Sequence, residues 1–215
     1  VTIDREEPEA PLFSGVPGGG STRENVTLEI DGHGERVIYR LGEERRFPSV
    51  DVETAVEYTD PVEIAGESNE EIHYSVTAIA IDDAGNMSEP SYTHFTIDKV
   101  SPGIPESPSV YVSDRADGTV SIGWKSDSDN RIYYRITPNE NESFSLYREP
   151  FSVMFSAAGD PVTILYYARD KAGNTSDVKR SEIRVPSNVP ERLIAGVENG
   201  SVYRVRKRAT AATES

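Results

Sequence analysis

Apolar and polar residues alternate along most of this chain. In the run EIHYSVTAIAID, Ile72, Tyr74, Val76, Ala78 and Ala80 share one phase, while His73, Ser75, Thr77, Ile79 and Ile81 share the other. In NVTLEID, Val26, Leu28 and Ile30 alternate with Thr27, Glu29 and Asp31. A period of two puts successive side chains on opposite faces of a β-strand. β-branched and aromatic residues fill these runs and turn residues separate them. No run has a 3.6-residue apolar stripe between helix caps. Several such strands in about 90 residues predict an antiparallel sandwich, with Trp124 as a core centre in the second half of the chain.

The alternation occurs twice. VTIDREEPEAP returns as FTIDKVSPGIP, so that Val1, Thr2, Ile3, Asp4, Pro8 and Pro11 map onto Phe95, Thr96, Ile97, Asp98, Pro102 and Pro105 at an offset of 94. Val26, Leu28 and Ile30 map onto Val120, Ile122 and Trp124 at the same offset, and Val37, Tyr39 and Leu41 onto Ile132, Tyr134 and Ile136 at 95. Tyr58 and Pro61 match Tyr147 and Pro150, and Tyr74, Val76, Ala78 and Ala80 match Val162, Ile164, Tyr166 and Ala168. The endings DDAGNMS and DKAGNTS coincide. Proline-rich seams at Glu7–Gly20, Lys99–Pro108 and Val185–Pro190 stop the strand signals and stiffen the joints.

The expected fold class is all-β, two tandem immunoglobulin-like antiparallel β-sandwiches joined by Pro-rich linkers. Residues 1–10 read as the last strand of a preceding domain plus linker, 11–98 as repeat 1, 99–108 as linker and 109–186 as repeat 2. Residues 187–215 read as a linker and a truncated third repeat or tail, with Asn199-Gly200 marking a two-residue hairpin.

The block Y-x-x-P, followed by a strand and A-x-D-x-A-G-N-x-S, resembles the immunoglobulin-like bacterial repeat related to the C-terminal domain of chitobiase/β-hexosaminidase. The residues that carry it are Tyr39-Arg40 and Tyr134-Arg135, Tyr58/Pro61 and Tyr147/Pro150, and Asp82–Ser88 and Asp170–Ser176. The resemblance covers almost all of both copies and implies non-catalytic accessory or spacer modules of secreted or surface proteins. An Asp-Gly-Ser turn common after that family's first tyrosine strand is missing from Gly42–Pro48 and Thr137–Ser143. The closing motif has a structural rationale of its own: Gly85 and Gly173 suit positive φ, Asn86 and Asn174 tolerate it, and Asp82 and Asp170 accept backbone N–H groups.

Composition narrows the chemistry. With 22 Lys+Arg against 37 Asp+Glu the chain carries a formal charge of −15, which repels phosphate backbones and argues against nucleic acid. Cysteine is absent, which removes disulfides and thiolate chemistry. No apolar run approaches the roughly 20 residues of a membrane span. The expected partners are neighbouring repeats of the same chain and cell-wall or other polysaccharide, and the expected location is extracytoplasmic.

Nothing in the chain resembles an active site, and no cofactor is expected. His33, His73 and His94 lack metal-binding spacing. Calcium is the one metal considered: Asp127, Asp129 and Asn130, in the run Ser126–Asn130, offer hard oxygen ligands, against the alternative of a solvated turn. Asp82 and Asp83 with Asp98 form a second such option. The two copies also differ on the outward phase. Ile38, Arg40, Ile79 and Ile81 in repeat 1 correspond to Tyr133, Arg135, Tyr167 and Arg169 in repeat 2. Paired aromatics flanked by arginines suit sugar rings; the alternative is a half-covered face, by the neighbouring domain or by self-packing of Arg over Tyr. The longer loop Gly42–Glu57 offers Arg45, Arg46 and Phe47 to a partner, against a loop whose length is neutral, and the basic tail Arg204–Arg208 offers a contact for an acidic neighbour or polymer, against a solvated strand edge or frayed end.

Overall fold

The computed structural model describes residues 4–112, 119–125, 129–137, 143–154, 161–183 and 194–196, and among these there is no helix. The chain divides into two compact units, Val1–Ser101 with Lys171–Asn174, and Pro102–Asp170 with Thr175–Ser215.

The first unit holds strands β1 (Leu12–Ser14), β2 (Ser21–Thr22), β3 (Val26–Asp31), β4 (Arg36–Gly42), β5 (Val56–Glu57), β6 (Val62–Ile64), β7 (Glu71–Ile81) and β8 (Ser91–Asp98). One sheet has the order β1-β3-β6 and the other β2-β8-β7-β4-β5. All pairings are antiparallel except β2 with β8, so the chain leaves the first sheet after β1 and crosses to the far edge of the second. That crossing starts at Gly15, where φ is +73° and a Cβ would stand 2.0 Å from the Thr27 carbonyl oxygen. No side chain fits there. The alternation read from the sequence points Val26, Leu28, Ile30, Tyr39, Tyr74, Val76 and Ala78 into one core, where Tyr74 stacks on Phe95 with centroids 5.4 Å apart.

The second unit repeats the plan with β9 (Ser109–Val112), β10 (Thr119–Gly123), β11 (Arg131–Thr137), β12 (Ser145–Leu146), β13 (Phe151–Met154), β14 (Val162–Arg169), β15 (Lys179–Ile183) and β16 (Ile194–Gly196). Its sheets are β13-β10-β9-β16 and β12-β11-β14-β15. Strand β16 adds to the edge of the first of these by pairing antiparallel with β9. Val120, Ile122, Trp124, Ile164, Tyr166 and Ile183 form the buried core. The indole of Trp124 lies 5.2 Å from the Tyr166 ring and donates its N–H to the Glu106 carbonyl at 3.0 Å. Tyr147 donates its hydroxyl to the Trp124 carbonyl, and a Cβ on Gly123 would come within 2.6 Å of that hydroxyl. Burial raises the pKa of the core hydroxyls of Tyr39, Tyr74 and Tyr134 above 10.0. The strand order and the two closed cores make the fold an all-β tandem of immunoglobulin-like sandwiches.

Candidate functional site: a tyrosine–arginine sheet face

The closing motif builds the same hairpin end in both repeats. After β7, the Asp82 carboxylate accepts the Asn86 backbone N–H and side-chain N–H, each at 2.8 Å. Gly85 takes φ +89°. The Asn86 side chain, more than the backbone N–H groups that join it, holds the Asp82 carboxyl below the usual aspartate range. Ser88 then closes the turn: its hydroxyl accepts the Ala80 N–H at 3.0 Å and donates to the Glu89 carbonyl at 2.9 Å. In repeat 2, Gly173 takes φ +99°, and Ser176 makes the matching bonds to Ala168 and Asp177 at 2.9 and 3.0 Å. Asp170 and Asn174 occupy the corresponding turn positions.

On the outward face of repeat 2, the β11–β14 register sets Tyr133 directly opposite Tyr167 and Arg135 opposite Leu165. Arg169 is paired with Arg131, a residue that sequence reasoning did not include. On β15, Arg180 falls opposite Leu165 and so joins the same face. The tyrosine rings are parallel within 7° with centroids 5.3 Å apart. Side-by-side coplanar rings would overlap at that spacing, so the pair is offset-stacked and each ring covers one face of the other. Phe144 meets Tyr167 at 70° and 5.0 Å, and the Arg135 guanidinium lies 5.1 Å from the Phe144 centroid. The aromatic part is therefore a self-packed ridge rather than a flat platform. Tyr133, Arg135 and Tyr167 are half-buried; Arg131, Arg169 and Arg180 are exposed.

The equivalent face of repeat 1 is not open. The outward phase of β7 includes Ser75, Thr77 and Ile81, all buried, and Ile38 opposite Ile79 is only 2% exposed. The loop after β4 packs on the end of this face that holds Ser75 and His94. Ser75 donates its hydroxyl to the Glu44 carbonyl at 2.6 Å, and Phe47 packs on Tyr92 and His94 with centroids 5.0 and 6.0 Å apart. Arg45 donates to His73 Nε2 at 2.8 Å, which leaves the proton on Nδ1 to bond Thr96 Oγ1 at 2.7 Å. Arg45 and Phe47, the residues the sequence offered to a partner, both make contacts on their own sheet and are both exposed. The loop spans 13 residues between β4 and β5, against 7 between β11 and β12.

Asp129 is exposed and Asn130 half-buried, while Asp127 lies outside the described residues. Among the described residues no three His, Asp or Glu side chains gather as a metal site. Asp82 is bonded to Asn86, and Asp98 accepts the Val100 N–H at 2.9 Å. A cavity of about 540 Å³ in the second unit is lined by Ile104, Glu106, Trp124, Lys125, Asn130 and Ala168 among others, with Glu106 the one lining carboxylate among the described residues. No helix among the described residues is long and apolar enough to cross a membrane. The Asn199-Gly200 hairpin and the Arg204–Arg208 tail lie outside the described residues.

These features define a pair of immunoglobulin-like modules. No family model matches the chain, and no curated protein matches it. Among solved structures it is similar to the chicken CNTN1 FN1-FN3 domains, at 16% identity over 83% of this chain and 65% of that one, with a TM-score of 0.40. It is similar to fibronectin(III)-like modules of Clostridium thermocellum CbhA at 15% identity over 81% of this chain and 93% of that one, TM-score 0.40. A two-domain fibronectin type-III segment of chicken tenascin aligns at 13% identity over 84% of this chain and all 100% of that one, TM-score 0.30.

Proposed function

We propose that the chain is a non-catalytic spacer segment of a tandem immunoglobulin-like surface or secreted protein, holding other domains away from an envelope. The observation that supports this is that each repeat closes a core of its own on either side of a short proline-bearing seam. Lys99 anchors one end of the seam to repeat 1 through Asn25 and Gly66, at 2.9 and 2.8 Å. At the other end Pro108 is fully buried and the Glu106 carbonyl caps Trp124. Between them lie Pro102 and Pro105, whose fixed φ restricts bending. Small-angle scattering of the whole chain tests the idea. Changing both prolines to glycine is expected to broaden the distribution of interatomic distances between repeats. Superimposable curves for the two chains would overturn the stiff-spacer reading.

A second reading, a carbohydrate- or cell-wall-binding accessory module, is favoured by one observation, the Tyr133–Tyr167 pair ringed by arginines on repeat 2. Its test is binding to insoluble polysaccharide beside the Tyr133→Ala/Tyr167→Ala variant.

A further inference from the structure

The charge of this chain is unevenly shared. Residues 1–100 carry 22 Asp and Glu against 7 Lys and Arg, which accounts for the entire −15, while residues 101–215 balance 15 against 15. Within that neutral half four of the eight described Lys and Arg side chains share one sheet face. Arg131, Arg135, Arg169 and Arg180 project from the outward side of β11, β14 and β15, and the one acidic side chain on those strands' outward phase, Glu182, is paired with Arg180 at 2.7 Å. Arg131 and Arg169 stand directly opposite one another, an arrangement that is unfavourable for like charges on neighbouring strands. A ligand with negative charge would relieve it.

What the face presents to solvent follows from its ring geometry. Tyr133 and Tyr167 each cover one face of the other, Phe144 stands edge-on to Tyr167 and Arg135 lies over Phe144, so the rings form a ridge and not the flat platform that suits stacking of a neutral sugar. The exposed polar groups on the face are the guanidinium forks of Arg131, Arg169 and Arg180. A guanidinium matches a carboxylate in a planar, two-bond fit. From Arg131 to Arg135 the strand covers about 13 Å, with side chains on this face every second residue. That geometry suits a polymer whose carboxylates recur along its length. Repeat 1 offers no equivalent, since the positions matching Tyr133, Tyr167 and Arg169 hold Ile38, Ile79 and Ile81, of which Ile38 and Ile81 are buried.

We infer that the outward face of β11, β14 and β15 takes an acidic polysaccharide, a polyuronate, with Arg131 and Arg169 as the principal carboxylate ligands and Arg135 and Arg180 flanking them. The inference rests on the accessory-module reading and narrows its ligand from carbohydrate in general to carboxylate-bearing sugars.

Retention of the full 215-residue chain on immobilised polygalacturonate, chitin and poly-L-glutamate tests it. The expected result is retention on polygalacturonate that salt abolishes, weakened roughly tenfold in Arg131→Ser/Arg169→Ser and less in Arg131→Lys/Arg169→Lys. Trp124 fluorescence checks that each variant is folded. Retention on chitin without polygalacturonate would overturn the acidic ligand and leave the carbohydrate reading standing. No retention on either polysaccharide would overturn both. Equal retention on poly-L-glutamate would overturn a saccharide as the ligand, and undiminished retention of the serine variant would overturn the site.

Discussion

The two repeats share a strand lattice and fill it differently. Both keep a tyrosine on the central strand meeting the Y-x-x-P tyrosine edge-on: Tyr39 with Tyr58 at 6.2 Å, and Tyr134 with Tyr147 at 6.4 Å. Elsewhere the bulk has moved. Repeat 1 places its large rings at one end of the long strand, Tyr74 on Phe95, and faces Tyr39 with Ala78. Repeat 2 has Val162 opposite Ile183 at that end and faces Tyr134 with Tyr166, under Trp124. Aromatic volume has shifted along the sandwich while the register stayed fixed. A core of this type is constrained by total volume and pattern more than by any single side chain.

The largest expected break in that comparison is Trp124→Ala. Removing the ring at the centre of the repeat 2 cluster is expected to cost about 3–5 kcal/mol in that repeat alone. Calorimetry should show the repeat 2 transition displaced and the repeat 1 transition in place; joint displacement would mean the cores are not independent. Gly123→Ala should follow at about 1–3 kcal/mol, because the added methyl meets the Tyr147 hydroxyl and Pro150. Ser88→Ala and Ser176→Ala each strip the partner from a buried backbone N–H, and each should lose about 1–3 kcal/mol from its own repeat. Unequal losses would show that the two hairpin ends are not equivalent. Tyr166→Phe removes a buried hydroxyl that has no hydrogen-bond partner among the described residues, so stability should hold or rise by up to about 1 kcal/mol. The smallest effect concerns acid. Asp82 titrates below its ordinary value when folded, so its contribution is complete above about pH 3.8 and fades as pH falls through the folded value. Asp82→Asn should flatten the acid limb of repeat 1 and leave that of repeat 2 unchanged, as read by denaturation between pH 2 and pH 5.

Much of this fold was legible because period-two alternation is a local signal. Val26, Leu28 and Ile30, or Tyr74 to Ala80, could be assigned to an inward face without knowing their neighbours. The site was legible only in part, because it depends on which residues lie across from which. Tyr133, Arg135, Tyr167 and Arg169 could be gathered from the sequence, but the partner of Arg169 is Arg131, which follows directly on the polar run Ser126–Asn130 and reads as loop. Continuing the alternation back from Tyr133, together with the charge balance of the two halves, would have pointed to it. The loop packing on repeat 1 was less accessible. A loop with few apolar residues gives no sign that Phe47 will lie on Tyr92 and His94, since that contact is tertiary. The ring stacking of Tyr133 on Tyr167 is a matter of side-chain rotamers, which residue spacing does not encode.

A face that is closed in one repeat and open in its neighbour has a consequence for valency. If the proposed polyuronate binding holds, an array made of such pairs would carry an adhesive patch on every second domain. Each patch on its own would grip weakly, as exposed arginines do. Several on one chain, meeting several carboxylates on one polymer, would hold through effective concentration, while any single patch could let go and rebind. The sealed repeats would then set the distance between grips.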